Sequence, residues 1–87
     1  MTTQEKIGTV IDYYARIGVA AVRLTDGALR VGDRIRIQGH TTDFIQPVDS
    51  LEVEHRRVDR AEQGSEVALK VRERARRHDQ VLRVPAE

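Results

Sequence analysis

Cysteine is absent from this chain, which removes a disulfide framework, a thiolate metal site and a cysteine nucleophile together. Tryptophan is absent too, and Tyr13, Tyr14 and Phe44 are the only aromatic residues. The core must therefore be built from Val, Ile, Leu and Ala. No apolar run approaches the roughly 20 residues needed to span a bilayer. The opening residues Met1-Thr2-Thr3-Gln4-Glu5-Lys6 lack the basic-then-apolar order of a secretory signal, so a cytoplasmic protein without a membrane partner is expected. With 87 residues there is room for one core. A frayed stretch over 1–5 and a single domain over 6–85 are expected, with no internal repeat, low-complexity tract or linker.

What is abundant is charge. Asp, Glu, Lys and Arg make up 33% of the chain, yet the net charge is only +1. The cations are mostly arginines, gathered at Arg56, Arg57 and Arg60 and again at Arg72, Arg74, Arg76 and Arg77, where Glu73 is the one acid among them. Guanidinium forks suit phosphates and carboxylates. Solvated strand and loop faces account for such arginines better, and a strongly electrostatic nucleic-acid binder usually carries more net charge.

Period-two patterning runs through the whole chain. Residues 6–14 are rich in β-formers, with Gly8 marking a kink or a close backbone approach. Gly18 turns the chain into 19–24, where Ala20, Val22 and Leu24 share one face and Ala21 and Arg23 the other. In residues 25–37, Asp26-Gly27 supplies the positive φ of a tight hairpin and Gly32-Asp33 repeats that turn chemistry. Ile35 and Ile37 then face inward from a strand over 33–38, opposite Arg34 and Arg36. Residues 39–43 read as a loop. Residues 44–54 read as a strand interrupted near Pro47, which belongs on an edge or a bulge. Residues 55–63 are polar apart from Val58. Val67, Leu69 and Val71 point inward from 65–71, residues 72–79 form a charged loop or one helical turn, and 80–84 is the last strand. Short strands separated by turns, with no helical period, predict an all-β fold: a small closed six-stranded antiparallel Greek-key barrel.

Ile7-Gly8-Thr9-Val10, then Thr25-Asp26-Gly27 with Val31-Gly32-Asp33, then Val48-Asp49-Ser50-Leu51 with Gly64, resemble the second-domain β-barrel of translation factors. The chain is most similar to the C-terminal barrel of bacterial translation initiation factor two and more distantly to the barrel of elongation factor Tu. That resemblance implies an RNA-binding module on the ribosome or beside transfer RNA. The chain lacks a Gly-x-x-x-x-Gly-Lys-Ser/Thr phosphate loop, so GTP binding is not expected. The positions after Ser50-Leu51 are Glu52, Val53, Glu54 and His55, which disfavours contact with transfer-RNA phosphates. Related barrels are also appended to larger enzymes, including the collagenase-like U32 peptidases. This implies the alternative of a protein-interaction accessory subunit acting in trans.

No catalytic, cofactor or metal site is expected. Glu52 and Glu54 are two apart on one strand, a pairing open to acid–base work, but a solvated strand face explains them better. His40, His55 and His78 show no metal-ligand spacing. Ser50 and Ser65 have no base arranged beside them. The expected binding residues are Arg56, Arg57, Arg60, Arg72, Arg74, Arg76 and Arg77, gripping RNA phosphates or an acidic protein surface. Of the adjacent tyrosines one must face in and the other out, where its ring can stack on a base or a partner.

Overall fold

In the computed structural model, residues 4–85 are described. They form ten strands and no helix: β1 Glu5–Tyr14, β2 Val19–Arg23, β3 Leu29–Arg30, β4 Arg34–Gln38, β5 Asp43–Pro47, β6 Leu51–Val53, β7 Arg56–Val58, β8 Arg60–Ala61, β9 Glu66–Lys70 and β10 Gln80–Val84. Eight of them pair in the order β5-β4-β10-β1-β2-β9-β6-β7, and β3 pairs with β8 separately. Every pairing is antiparallel. The all-β expectation holds, but the closed six-stranded barrel does not form. The ladder ends at β5 and β7, and no strand pairing joins these edges among the described residues. Residues 1–3 of the expected frayed stretch lie outside the described residues, and β1 begins at Glu5. Among the described residues no helix is long and apolar enough to cross a membrane.

The core follows from the alternation. Ala20, Val22 and Leu24 turn inward together from β2 and its end, Ile35 and Ile37 from β4, and Val67 and Leu69 from β9. Each such side chain contributes about 1.5–3 kcal/mol by leaving water. β1 is longer than its neighbours and breaks register twice, between Lys6 and Gly8 against β10 and between Val10 and Asp12 against β2. Gly8 is the close approach expected of it: a Cβ there would lie 2.4 Å from the Arg23 carbonyl oxygen. The second bulge carries the loop over 72–79. The His78 N–H donates to the Val10 carbonyl (2.9 Å), and the Val10 N–H donates to the Asp79 carbonyl (2.8 Å). Ala75 is buried, and the Asp79 carboxylate accepts the Arg76 N–H at 2.8 Å. These ties hold the segment as a loop with no helical turn.

Residues 25–37 differ from the expected hairpin. Gly18, Gly32 and Gly64 take positive φ, but Gly27 does not. Its requirement is space, since a Cβ would sit 3.0 Å from Ile7 Cγ2. The chain leaves β2 and enters β3, whose partner is β8. The Asp-Gly pair therefore makes a crossing between sheets where strand patterning alone suggests a return. Gly32, at φ 98°, does turn the chain into β4, and the Asp33 carboxylate secures the turn by accepting the Arg30 N–H at 3.0 Å.

Pro47 ends β5, an edge strand, as a residue without an N–H should. Beside it Gln46 is only 2% exposed. Its amide nitrogen donates to the Lys70 carbonyl (2.9 Å) and to the Pro47 carbonyl (3.2 Å), while its oxygen accepts the Arg72 N–H at 2.7 Å. One side-chain amide thus ties β5 to the end of β9. On the opposite side of β5, Arg36 and Asp43 form a two-pronged pair, with Nε to Oδ1 and Nη2 to Oδ2 both at 2.6 Å. That hydrogen bonding, seconded by the guanidinium charge and opposed by burial, holds Asp43 below the ordinary carboxylate range.

Two outcomes test this description. Gln46→Leu leaves the Lys70 carbonyl and the Arg72 N–H without partners and is expected to cost about 2–4 kcal/mol in denaturant unfolding; a loss under about 1 kcal/mol shows that the seam is held by other contacts. Asp43 has a lowered folded pKa, so its stabilisation is present above the unfolded value near about 4 and disappears as pH falls through the folded value. The Tm gap between wild type and Asp43→Asn is therefore expected to be widest at neutral pH and to close in acid. A gap constant with pH contradicts the pairing.

Candidate functional site

The outer face of the sheet between β1 and β7 carries small residues where strands usually present large ones. One cross-strand row runs Asp12, Ala21, Ala68, Glu52 and Arg57 across β1, β2, β9, β6 and β7. The adjoining row is Tyr14, Val19 and Lys70. Because Ala21 and Ala68 are directly opposed, the face sinks between its neighbours and forms an open groove of about 870 Å³. Val19, Ala21 and Ala68 line its floor, and Tyr14 and Ile17 line one wall. Tyr14 is 47% exposed and Ile17 60%. As the tyrosine pair requires, Tyr13 instead packs against the core.

The far wall is the β6–β7 hairpin. Val53 pairs with Arg56, leaving Glu54 and His55 as a two-residue turn, both at positive φ (51° and 65°). This is the backbone sign of the primed turns that match strand twist, adopted here without glycine or asparagine. Glu54 therefore sits in a turn rather than continuing the strand read over 44–54, and residues 56–58 and 60–61, read as a polar connection, are strands β7 and β8.

Charges of both signs stand around the rim, with Asp49, Glu52, Glu54 and Glu66 against Arg57 and Lys70. Glu52 faces Arg57 across the hairpin. Arg23 bonds Glu66 at 2.6 Å, and Arg72 lies 3.4 Å from Asp49. An apolar floor within a rim of both signs has the make-up of a protein interface. A site for a polyanion needs an unbroken basic stripe.

The seven arginines singled out from the sequence are all exposed and fall on three elements. Arg56 and Arg57 lie on β7, and Arg57 borders the groove. Arg60 lies on β8, paired with Glu62 at 2.9 Å. Arg72, Arg74, Arg76 and Arg77 follow β9 in the loop to β10, with Arg77 3.6 Å from Asp12. Among the described residues no three His, Cys, Asp or Glu side chains are grouped to hold a metal ion. Sequence reasoning placed Ala21 and Ala68 on the outer face but missed the groove they floor. Two outward alanines in register on neighbouring strands were the available signal.

The chain is 37% identical over 84 residues to a collagenase of Porphyromonas gingivalis, covering 93% of this chain and 20% of that protein. It is 34% identical over 77 residues to an uncharacterized protease of Methanocaldococcus jannaschii, covering 87% and 19%. It thus spans about a fifth of the length of these curated relatives. Two crystal structures of the C-terminal domain of a Geobacillus thermoleovorans protein assigned to the U32 peptidases match with TM-scores of 0.83 and 0.84, each at 24% identity. They cover 88% and 94% of this chain, and 96% and 93% of the compared chains. The fold is that of this C-terminal domain. No family model matches the chain.

These similarities correct the likeness to translation-factor barrels, and with it the reading of the chain as an RNA-binding relative of initiation factor two and elongation factor Tu. The chain-wide similarity is to proteases and to a U32 C-terminal domain. Of the segments behind that likeness, residues 7–10 lie within strand β1, residues 25–27 and 48–50 are short connections, and Val31-Gly32 and Gly64 lie in turns, local features that unrelated small β-folds share.

The hairpin turn gives a direct test. Left-handed backbone costs about 1–2 kcal/mol per non-glycine residue, so the Glu54→Asn, His55→Gly double variant is expected to gain about 1–2 kcal/mol in denaturant unfolding with unchanged structure. No gain shows that the two residues hold their φ without strain.

Proposed function

We propose that this chain is a non-catalytic interaction module that works beside the catalytic part of a larger U32-type peptidase, with the groove over Ala21 and Ala68 as its docking surface. The observation that carries this reading is the correspondence of the chain to about a fifth of two larger proteins named as proteases, together with its match to a domain at the C-terminal end of another. The groove supports it independently. Tyr14 and Ile17 offer exposed apolar anchors beside a floor without protruding side chains, and the Glu52–Arg57 and Arg23–Glu66 pairs supply a polar rim. Aromatic anchors at the centre of such a patch carry most of the binding energy in protein interfaces.

The chemistry assigned here is recognition alone. Of the carboxylates along the groove, Glu52 stands opposite Arg57 and Glu66 bonds Arg23, and these act as rim groups.

The test mixes this chain with the separately expressed catalytic part of a U32-type peptidase from the same cell and follows complex formation by calorimetry. A complex is expected, weakened at least about ten-fold by Ala68→Arg, which fills the floor, and by Ile17→Asp, which places charge on an exposed anchor. Both substitutions lie outside the core, so folding is expected to persist. No complex with the wild-type chain, or full affinity in both variants, overturns the reading.

A further inference from the structure

The two-residue ladder between β3 and β8 sets like charges against each other. Leu29 and Ala61 pair on its inner face and are buried. The next pair is Arg30 opposite Arg60, an arrangement that is destabilising when nothing lies between the two cations. A third arginine arrives from another strand. Arg83 of β10 donates through Nη2 to the Ala28 carbonyl, and its Nε is buried with no hydrogen-bond partner. The nearest acid, Asp33, has its Oδ2 3.9 Å from that Nε, beyond hydrogen-bond reach, and the same oxygen already accepts the Arg30 N–H. Ala28, Leu29, Arg30, Asp33, Arg60 and Arg83 surround a depression of about 270 Å³. Its lining carries three guanidiniums against one carboxylate, an excess of two positive charges. Glu62 holds Arg60 at 2.9 Å but does not line the depression.

We propose that this depression binds a phosphate-class oxyanion. One such ion relieves the like-charge pairing by standing between Arg30 and Arg60, and it supplies a counter-charge to the exposed part of the Arg83 side chain, whose Nε is itself buried. Arginines from three strands border the depression, which suits a tetrahedral anion, whereas a carboxylate is met by one planar fork. The local excess of positive charge, reduced by Glu62 on Arg60, favours an anion. The site is separate from the Ala21–Ala68 groove, so it stands or falls independently of the docking reading.

The experiment is an ¹⁵N NMR titration of the whole chain with inorganic phosphate, with glycerol phosphate and acetate as comparison ligands and chloride as the ionic-strength control. Phosphate is expected to give saturable shifts confined to the amides around Arg30, Asp33, Arg60 and Arg83. Arg30→Gln is expected to weaken it at least about ten-fold. Arg83 also secures Ala28, so Arg83→Gln risks unfolding; Arg60→Gln on an exposed strand provides the second variant, with the same expected loss. Tighter binding of glycerol phosphate than of inorganic phosphate identifies a phosphoryl group carried on a larger molecule, and the reverse identifies the free ion. Shifts reproduced by chloride, equal binding of acetate, unchanged affinity in both exposed variants, or no saturable shift at millimolar phosphate each overturn the proposal.

Discussion

A sheet that does not close leaves an open edge at β5, and in this chain Gln46 ties that edge to the end of β9 with one side chain. A peptide group offers one donor and one acceptor, and so does a primary amide, with a proton to spare. Buried beside the Pro47 end of β5, the Gln46 amide reproduces what a neighbouring strand would have supplied to Lys70 and Arg72. The register of β9 against β2, and hence the opposition of Ala21 and Ala68, is thereby tied to the far end of the molecule. Neither a hydrophobic residue nor an acid performs this role. The first leaves polar backbone groups dry and unpaired, and the second brings a second acceptor to the Lys70 carbonyl.

The legible part of the fold was the part governed by alternation. Strands β2, β4, β9 and β10 are readable within a residue or so, because each has apolar positions two apart and a turn residue at its boundary. Gly18 and Gly64 are readable as turns for the same reason, as both need positive φ. Pairing partners are harder to see. Nothing local distinguishes an Asp-Gly that reverses a hairpin from one that carries the chain to another sheet, and Gly27 serves the second purpose through its contact with Ile7. The hairpin at Glu54-His55 was hidden because its residues do not advertise the backbone sign they adopt.

The site was less legible than the fold, for a different reason. Sequence reasoning weighs residues that carry chemistry, and here it gathered arginines. The groove is defined by what Ala21 and Ala68 do not fill, and its rim by arginines that carboxylates from distant positions accompany, such as Asp49 beside Arg72 and Asp12 beside Arg77. Those pairings join residues far apart in the chain, so a count of local charge overstates the basic character of each segment. The pair Arg30 and Arg83 shows the converse. Neither lies in an arginine-rich run, yet both line one depression with Arg60.

The two bulges of β1 bear on how such a domain tolerates insertion and deletion. Side chains alternate faces along a strand, so each extra residue reverses the assignment of everything beyond it. Between Val10, which is buried, and Asp12, which pairs outward with Ala21, the ladder absorbs Ile11. The bulge decides which tyrosine joins the core and which stands at the groove. Deleting Ile11 would leave a regular ladder with Asp12, Tyr13 and Tyr14 on their present partners, whereas losing the bulge with Ile11 kept would pair Ile11 with Ala21 and exchange the parts played by Tyr13 and Tyr14. The bulge, more than the identity of any residue in β1, thus encodes which ring the molecule shows to its surroundings.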